Sequence, residues 1–118
     1  MDDDRPLFRQ LAERIETQII EGSLPEGGQV PSINEFAAFH RINPATALKG
    51  VSLLVDAGVL YKRRGIGMFV SDGAREALLS ARRATFRDEF VRPLVAEARA
   101  LGITPDELAT MIREDPTA

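Results

Sequence analysis

Apolar residues in the first part of the chain fall on a helical repeat. Leu7, Leu11, Ile15 and Ile19 recur at spacing four, with Ile20 beside them, which draws one apolar stripe along a helix. Pro6 suits a first helical turn, where its missing N–H is no loss, and Gly22 supplies a C-terminal stop. The pattern therefore predicts a helix from about Pro6 to Glu21, and Pro25-Glu26-Gly27-Gly28 predicts the turn after it. Ser32-Ile33-Asn34-Glu35 has the spacing of a capping box, in which serine and glutamate each satisfy the other's backbone N–H. Phe36, Ala37 and Phe39 give that short second helix its apolar side, and it ends near His40. Asn43-Pro44 opens a third helix with a cap and a first-turn proline. It runs through Ala47, Val51 and Leu54 to Ala57, with Gly58 as its stop.

Beyond Gly58 the periodicity changes. Val59 to Arg63 and Met68 to Ser71 read as strands around Arg64-Gly65-Ile66-Gly67, whose two glycines suit a hairpin tip. A short extended piece at Gln29-Val30 could add a third strand. Helix, tight turn, helix and basic hairpin form the layout of a winged helix-turn-helix, in which one helix enters a DNA groove and the hairpin leans on the backbone beside it. From Gly73 the helical repeat returns. Leu79, Phe86, Phe90, Leu94, Ala98 and Leu101 share one face, Pro93 predicts a kink or break near Arg92, and Gly102 ends the run. Thr104-Pro105-Asp106-Glu107 is a second capping box, followed by Leu108, Met111 and Ile112. The fold class predicted is mainly α with a small β-hairpin wing. A winged helix-turn-helix over residues 1–72 would be followed by a two- or three-helix segment over 73–118.

Charge refines this picture. The formal net charge of the 118 residues is -3, yet between Val30 and Ser71 five bases (Arg41, Lys49, Lys62, Arg63, Arg64) face two acids (Glu35, Asp56). Acids gather at Asp2, Asp3 and Asp4 and at Glu13, Glu16, Glu21 and Glu26. A locally positive face on an acidic chain can bind nucleic acid while the remainder discourages indiscriminate contacts. There is no cysteine, hence no disulfide framework and no thiolate metal site. The acidic start is unlike a signal peptide, and no apolar stretch reaches membrane-spanning length. A soluble, cytoplasmic chain without membrane contact is expected.

Taken together, Gly22, Pro25 and Gly27 after the first helix, Pro31-Ser32 with Glu35 and Ala37 in the second, Gly58 before the wing, and Gly65, Gly67, Phe69 and Val70 within it resemble the DNA-binding domain of the GntR family of bacterial transcription regulators. Asn43-Pro44 with Thr46, followed by only two short helices, looks most like the YtrA subfamily. The resemblance implies a homodimeric repressor or activator that sets its third helix in the major groove of double-stranded DNA and its wing tip against the minor groove. Larger members carry a ligand-binding domain after the winged helix, and the 46 residues after Asp72 are too few for such a pocket. This chain departs from the family pattern at several positions. Asn34 stands where arginine is usual, Leu48 where a polar residue is common, Gly50 where alanine is common, and Leu53 and Val55 where charged residues are usual. These differences bear on sequence preference and affinity more than on fold.

The candidate DNA-binding residues are Ser32, Asn34, Asn43, Ala45, Thr46, Leu48, Lys49 and Ser52 on the helices, and Lys62, Arg63, Arg64, Gly65 and Gly67 on the wing. Thr46 suits a phosphate or a thymine methyl, and Lys49 a phosphate or a guanine edge. Leu48 fits either a thymine methyl or the core of a rotated helix. Wing arginines would neutralise phosphates or enter a narrow minor groove, while the glycines allow close backbone approach. The plainer alternatives are solvated polar residues on an exposed helix and a lysine-blunted strand edge. Leu79, Phe86, Phe90, Leu94 and Leu101 are the candidate dimerisation residues. A helix from Ala74 to Ala100 would extend about 40 Å, too far for a small winged domain to cover its apolar face. Leu53 and Val55 could join that surface. Gly65-Ile66-Gly67 leads into a strand rather than a helix and lacks the ending of a phosphate-binding loop. His40 is the only histidine, and no nucleophile, base and orienter assemble, so neither a metal, a cofactor nor an enzyme is expected. A protein-binding winged helix is the rival reading, and an effector of unknown identity is left open.

Overall fold

The computed structural model describes residues 5–118. The aspartates at positions 2–4, counted above among the acids, lie outside the described residues. The chain separates into two compact units, residues 1–79 and 80–118.

In the first unit, α1 (Leu7–Glu21), α2 (Ile33–His40) and α3 (Pro44–Asp56) enclose a common core, and β1 (Gln29–Val30), β2 (Leu60–Arg63) and β3 (Gly67–Val70) form an antiparallel sheet in the order β1-β3-β2. Leu11, Ile15 and Ile19 of α1 meet Ala47, Val51 and Leu54 of α3, and Val30, Leu60, Met68 and Val70 close the core from the sheet. Pro6 stands just ahead of α1 rather than within it, its extended backbone leaving its carbonyl to accept from the N–H groups of Arg9 and Gln10. The capping box at α2 is present: Ser32 Oγ accepts from the Glu35 N–H at 3.2 Å, and Glu35 Oε1 accepts from the Ser32 N–H at 3.2 Å. Only Arg41, Ile42 and the capping residue Asn43 join α2 to α3, and Arg41 takes a left-handed conformation, φ 54°, to make that joint. The predicted apolar side of α2 is half right. Phe36 and Ala37 are buried, but Phe39 is 81% exposed and its ring meets the edge of His40. The buried direction of this two-turn helix lies between Phe36 and Ala37, and at about 100° per residue Phe39 points about 110° away from it. Leu53 and Val55, entertained as dimer surface, are partly buried and pack against the winged core.

α4 (Ala74–Phe86) begins in the first unit, with Ala74 and Leu78 in its core and the Arg75 Nε donating to the Ile20 carbonyl at 2.8 Å. In the second unit the chain does not break near Arg92. A π-helical turn covers Arg87–Val91, in which the Arg92 N–H donates to the carbonyl of Arg87, five residues back. α5 (Arg92–Ala100) follows with Pro93 in its first turn. Proline lacks an N–H and its ring crowds the carbonyl four residues earlier, so widening the preceding turn lets the helix continue past it. α6 (Pro105–Glu114) opens on the second capping box, Thr104 with Glu107. Ala98 is buried in this unit, while Phe86, Phe90, Leu94, Leu101, Met111 and Ile112 remain exposed.

Candidate nucleic-acid interface

The amphipathic division of α3 decides which of its side chains reach solvent. Ala47, Gly50, Val51 and Leu54 are buried. Ala45, Leu48 and Lys49 are exposed, and Thr46 and Ser52 are half-buried beside them. Leu48 is 47% exposed, which rules out the rotated-helix alternative in which it belongs to the core. Asn43 is exposed, but its Oδ1 is engaged in capping, accepting the Ala45 N–H at 2.8 Å. Ser32 is exposed with its hydroxyl likewise committed to the α2 cap, and Asn34 is exposed on the first turn of that helix.

Gly50 brings α1 and α3 unusually close. A Cβ there would stand 2.7 Å from the backbone oxygen of Phe8, so only glycine lets the helices meet at this distance. The Phe8 ring then lies beneath the Lys49 ammonium, with Nζ 4.1 Å from the ring centroid, and the Arg9 guanidinium is 5.5 Å from the same centroid. Both are within the range of cation–π attraction. Phe8 and Arg9 were absent from the sequence-based set, because neither belongs to the helix-turn-helix motif and their meeting with Lys49 is a tertiary event.

The wing is a four-residue strand, a turn and a return strand, with Arg63 paired to Gly67. The Ile66 N–H closes the turn on the Arg63 carbonyl at 2.9 Å, and Gly65 takes φ 77° at its tip. Gly67 takes φ 143°, a conformation that favours glycine, and a Cβ there would displace the Gln29 amide, whose Nε2 would lie 2.5 Å away. Gln29 in turn donates from Nε2 to the Ile66 carbonyl at 3.1 Å, tying the tip to β1. That tether was invisible in the sequence, where Gln29 was only a strand residue. Lys62, Arg63 and Arg64 are exposed, and the Arg63 guanidinium lies 5.8 Å from the centroid of Phe69, which itself stacks on Tyr61. Between the wing and the start of α2 runs a groove of about 480 Å³, bordered by Ser32 and Glu35 on one side and Lys62, Arg63 and Arg64 on the other. It puts the α2 cap and the wing cations of the predicted set around one groove.

His40 stacks on Phe36. Partial burial, and secondarily the charge of Arg14, hold its pKa below the ordinary imidazole value. Among the described residues, no cluster of histidine and carboxylate side chains could hold a metal ion, and no helix is long and apolar enough to cross a membrane.

The model of the bacterial regulatory proteins of the gntR family matches residues 7–70, the span from the first residue of α1 to the last of β3. The chain belongs to the GntR family. Among GntR relatives, it is 24% identical over 109 residues to the HTH-type transcriptional repressor YtrA of Bacillus subtilis, covering 92% of this chain and 83% of YtrA. It is 33% identical to a GntR-family regulator from Bacteroides thetaiotaomicron, with a TM-score of 0.73 over 92% of this chain and 94% of that one. It is 30% identical to AraR(DBD), solved in complex with an operator, with a TM-score of 0.55 over 57% of this chain and 81% of that one. The winged helix-turn-helix expected from the capping boxes and the basic hairpin is thus the GntR fold, and the expected likeness to YtrA is present along most of the chain.

Proposed function

We infer that this GntR protein is a sequence-specific, DNA-binding transcriptional repressor. It acts as a homodimer on an inverted-repeat operator whose half-sites lie about one helical turn apart. The observation that carries this reading is the exposed edge of α3, Ala45, Leu48 and Lys49 flanked by Thr46 and Ser52, on a domain whose wing presents three further exposed cations. α3 would enter the major groove, where Lys49 reaches a phosphate or a guanine edge and Leu48 meets a thymine methyl. Lys62, Arg63 and Arg64 would bind phosphates beside the minor groove, with Gly65 allowing the backbone to come close. Repression is supported by the name of YtrA, and operator binding by the AraR complex. The segment from residue 73 onward would supply the dimer contact, through Leu79, Phe86, Phe90, Leu94 and Leu101.

Electrophoretic mobility of the gene's own upstream fragment, titrated at several salt concentrations with wild type and Lys49→Ala, tests the reading. A specific complex is expected, weakened about tenfold or more by the substitution. The absence of a sequence-dependent complex at low salt would refute it.

A further inference from the structure

We propose that Phe8 is a positioning residue for DNA recognition: its ring face seats the Lys49 ammonium on the outward side of α3. The inference rests on the reading of Lys49 as a DNA contact and adds a residue outside the helix-turn-helix to that contact. Lysine is a point charge on a flexible four-carbon stem, so an exposed lysine visits many rotamers. Here its ammonium lies 4.1 Å from the centroid of a half-buried phenylalanine ring on a neighbouring helix. The helix that carries the ring is held close to α3, because the Phe8 backbone oxygen lies against Gly50 at a separation that leaves no room for a side chain there. The ring face attracts the cation without neutralising it or taking up an N–H as a hydrogen-bond acceptor would. The ammonium therefore keeps its charge and donors for a phosphate or base while losing much of its freedom beforehand, which lowers the entropic cost of binding. Arg9, 5.5 Å from the same ring, adds a second positive charge beside the seat.

Two measurements on the full chain test this. In the free protein, the ε-methylene protons of Lys49 should be shifted upfield by the ring, and the shift should vanish in Phe8→Leu and persist in Phe8→Tyr. In the mobility assay with the upstream DNA fragment, Phe8→Leu should weaken binding roughly two- to fivefold. The same substitution in a Lys49→Ala background should have no further effect, and Phe8→Tyr should bind like wild type. An equal loss from Phe8→Leu in both backgrounds, or an unshifted Lys49 methylene in wild type, would overturn the proposal while leaving Lys49 as a DNA contact. Unchanged binding by Lys49→Ala alone would instead remove the reading of Lys49, and this proposal with it. Should Phe8→Leu not fold, the Lys49 shift in wild type and Phe8→Tyr still decides the geometry.

Discussion

Replacing Gly50 with alanine should destabilise the winged unit, although a helix interior ordinarily favours alanine. Propensity alone predicts a gain of about 1 kcal/mol for Gly→Ala in the middle of α3. Against it stands a Cβ placed 2.7 Å from the backbone oxygen of Phe8 and 3.3 Å from Leu11 Cδ2. A carbon–oxygen pair settles at about 3.3 Å or more, so α1 would have to withdraw by about 0.6 Å. The offending atom belongs to the backbone, so no rotamer change relieves it. The surrounding Leu11, Ile15, Ala47 and Val51 are almost wholly buried and close-packed, and overpacking such a site costs about 1–3 kcal/mol. The net expectation is a destabilisation of about 1 kcal/mol, equivalent to a fall in Tm of about 4–8 °C for a unit of this size. Urea titration followed by circular dichroism should show a lower midpoint at unchanged slope. A Gly50→Ala protein as stable as wild type, or more so, would refute the close-approach argument and show that α1 moves freely against α3.

Three further outcomes are expected. Arg63→Ala with Arg64→Ala should flatten the dependence of DNA affinity on salt, by about 0.9 in log–log slope for each phosphate no longer neutralised; equal slopes in wild type and the double variant would remove the wing from the interface. Burial and the nearby Arg14 charge hold His40 below its ordinary pKa of 6.5 in the folded chain, so as pH falls the unfolded chain takes up this proton first. The stability due to neutral His40 is therefore complete above that ordinary value and is lost as pH drops below it toward the folded value. His40→Gln should accordingly lose less stability than wild type between pH 7.5 and 5.5 in thermal melts, and parallel losses would contradict this. Phe86→Ser with Phe90→Ser should shift the protein from dimer to monomer in sedimentation equilibrium, since the two rings are exposed, lie 5.6 Å apart and would each contribute about 2 kcal/mol when buried; an unchanged mass would exclude this face from the dimer.

What could be read in the sequence is what short-range chemistry specifies. Ser32 with Glu35, Thr104 with Glu107, and Asn43 before Pro44 each cap a helix by reaching two or three residues along the chain, so spacing alone located α2, α3 and α6. Gly22 and Gly58, both at positive φ, end their helices for an equally local reason. The errors begin where a third dimension enters. Phe39 looked like core because α2 is too short for its periodicity to reveal which side turns inward, and the side that does carries Phe36 and Ala37. Pro93 marked an irregularity near Arg92, a kink or a break, because the sequence shows the missing N–H but not the π turn that absorbs it.

The candidate interface follows the same division. Lys49 and the wing arginines announce themselves by charge, whereas the groups that hold two of them, Phe8 beneath Lys49 and Phe69 beneath Arg63, come from other elements. Gln29, which pins the wing tip through the Ile66 carbonyl, lies 37 residues from its acceptor. A cation's presence is thus written in the chain, but its orientation depends on packing between elements. Gly50 connects the two levels, because the absence of one Cβ allows α1 to come close enough for its phenylalanine to serve the lysine next in sequence on α3. A substitution that separates those helices should therefore weaken recognition even when every charged residue is left in place, and Gly50→Ala, if it folds, is expected to lose part of its DNA affinity together with the upfield shift at Lys49.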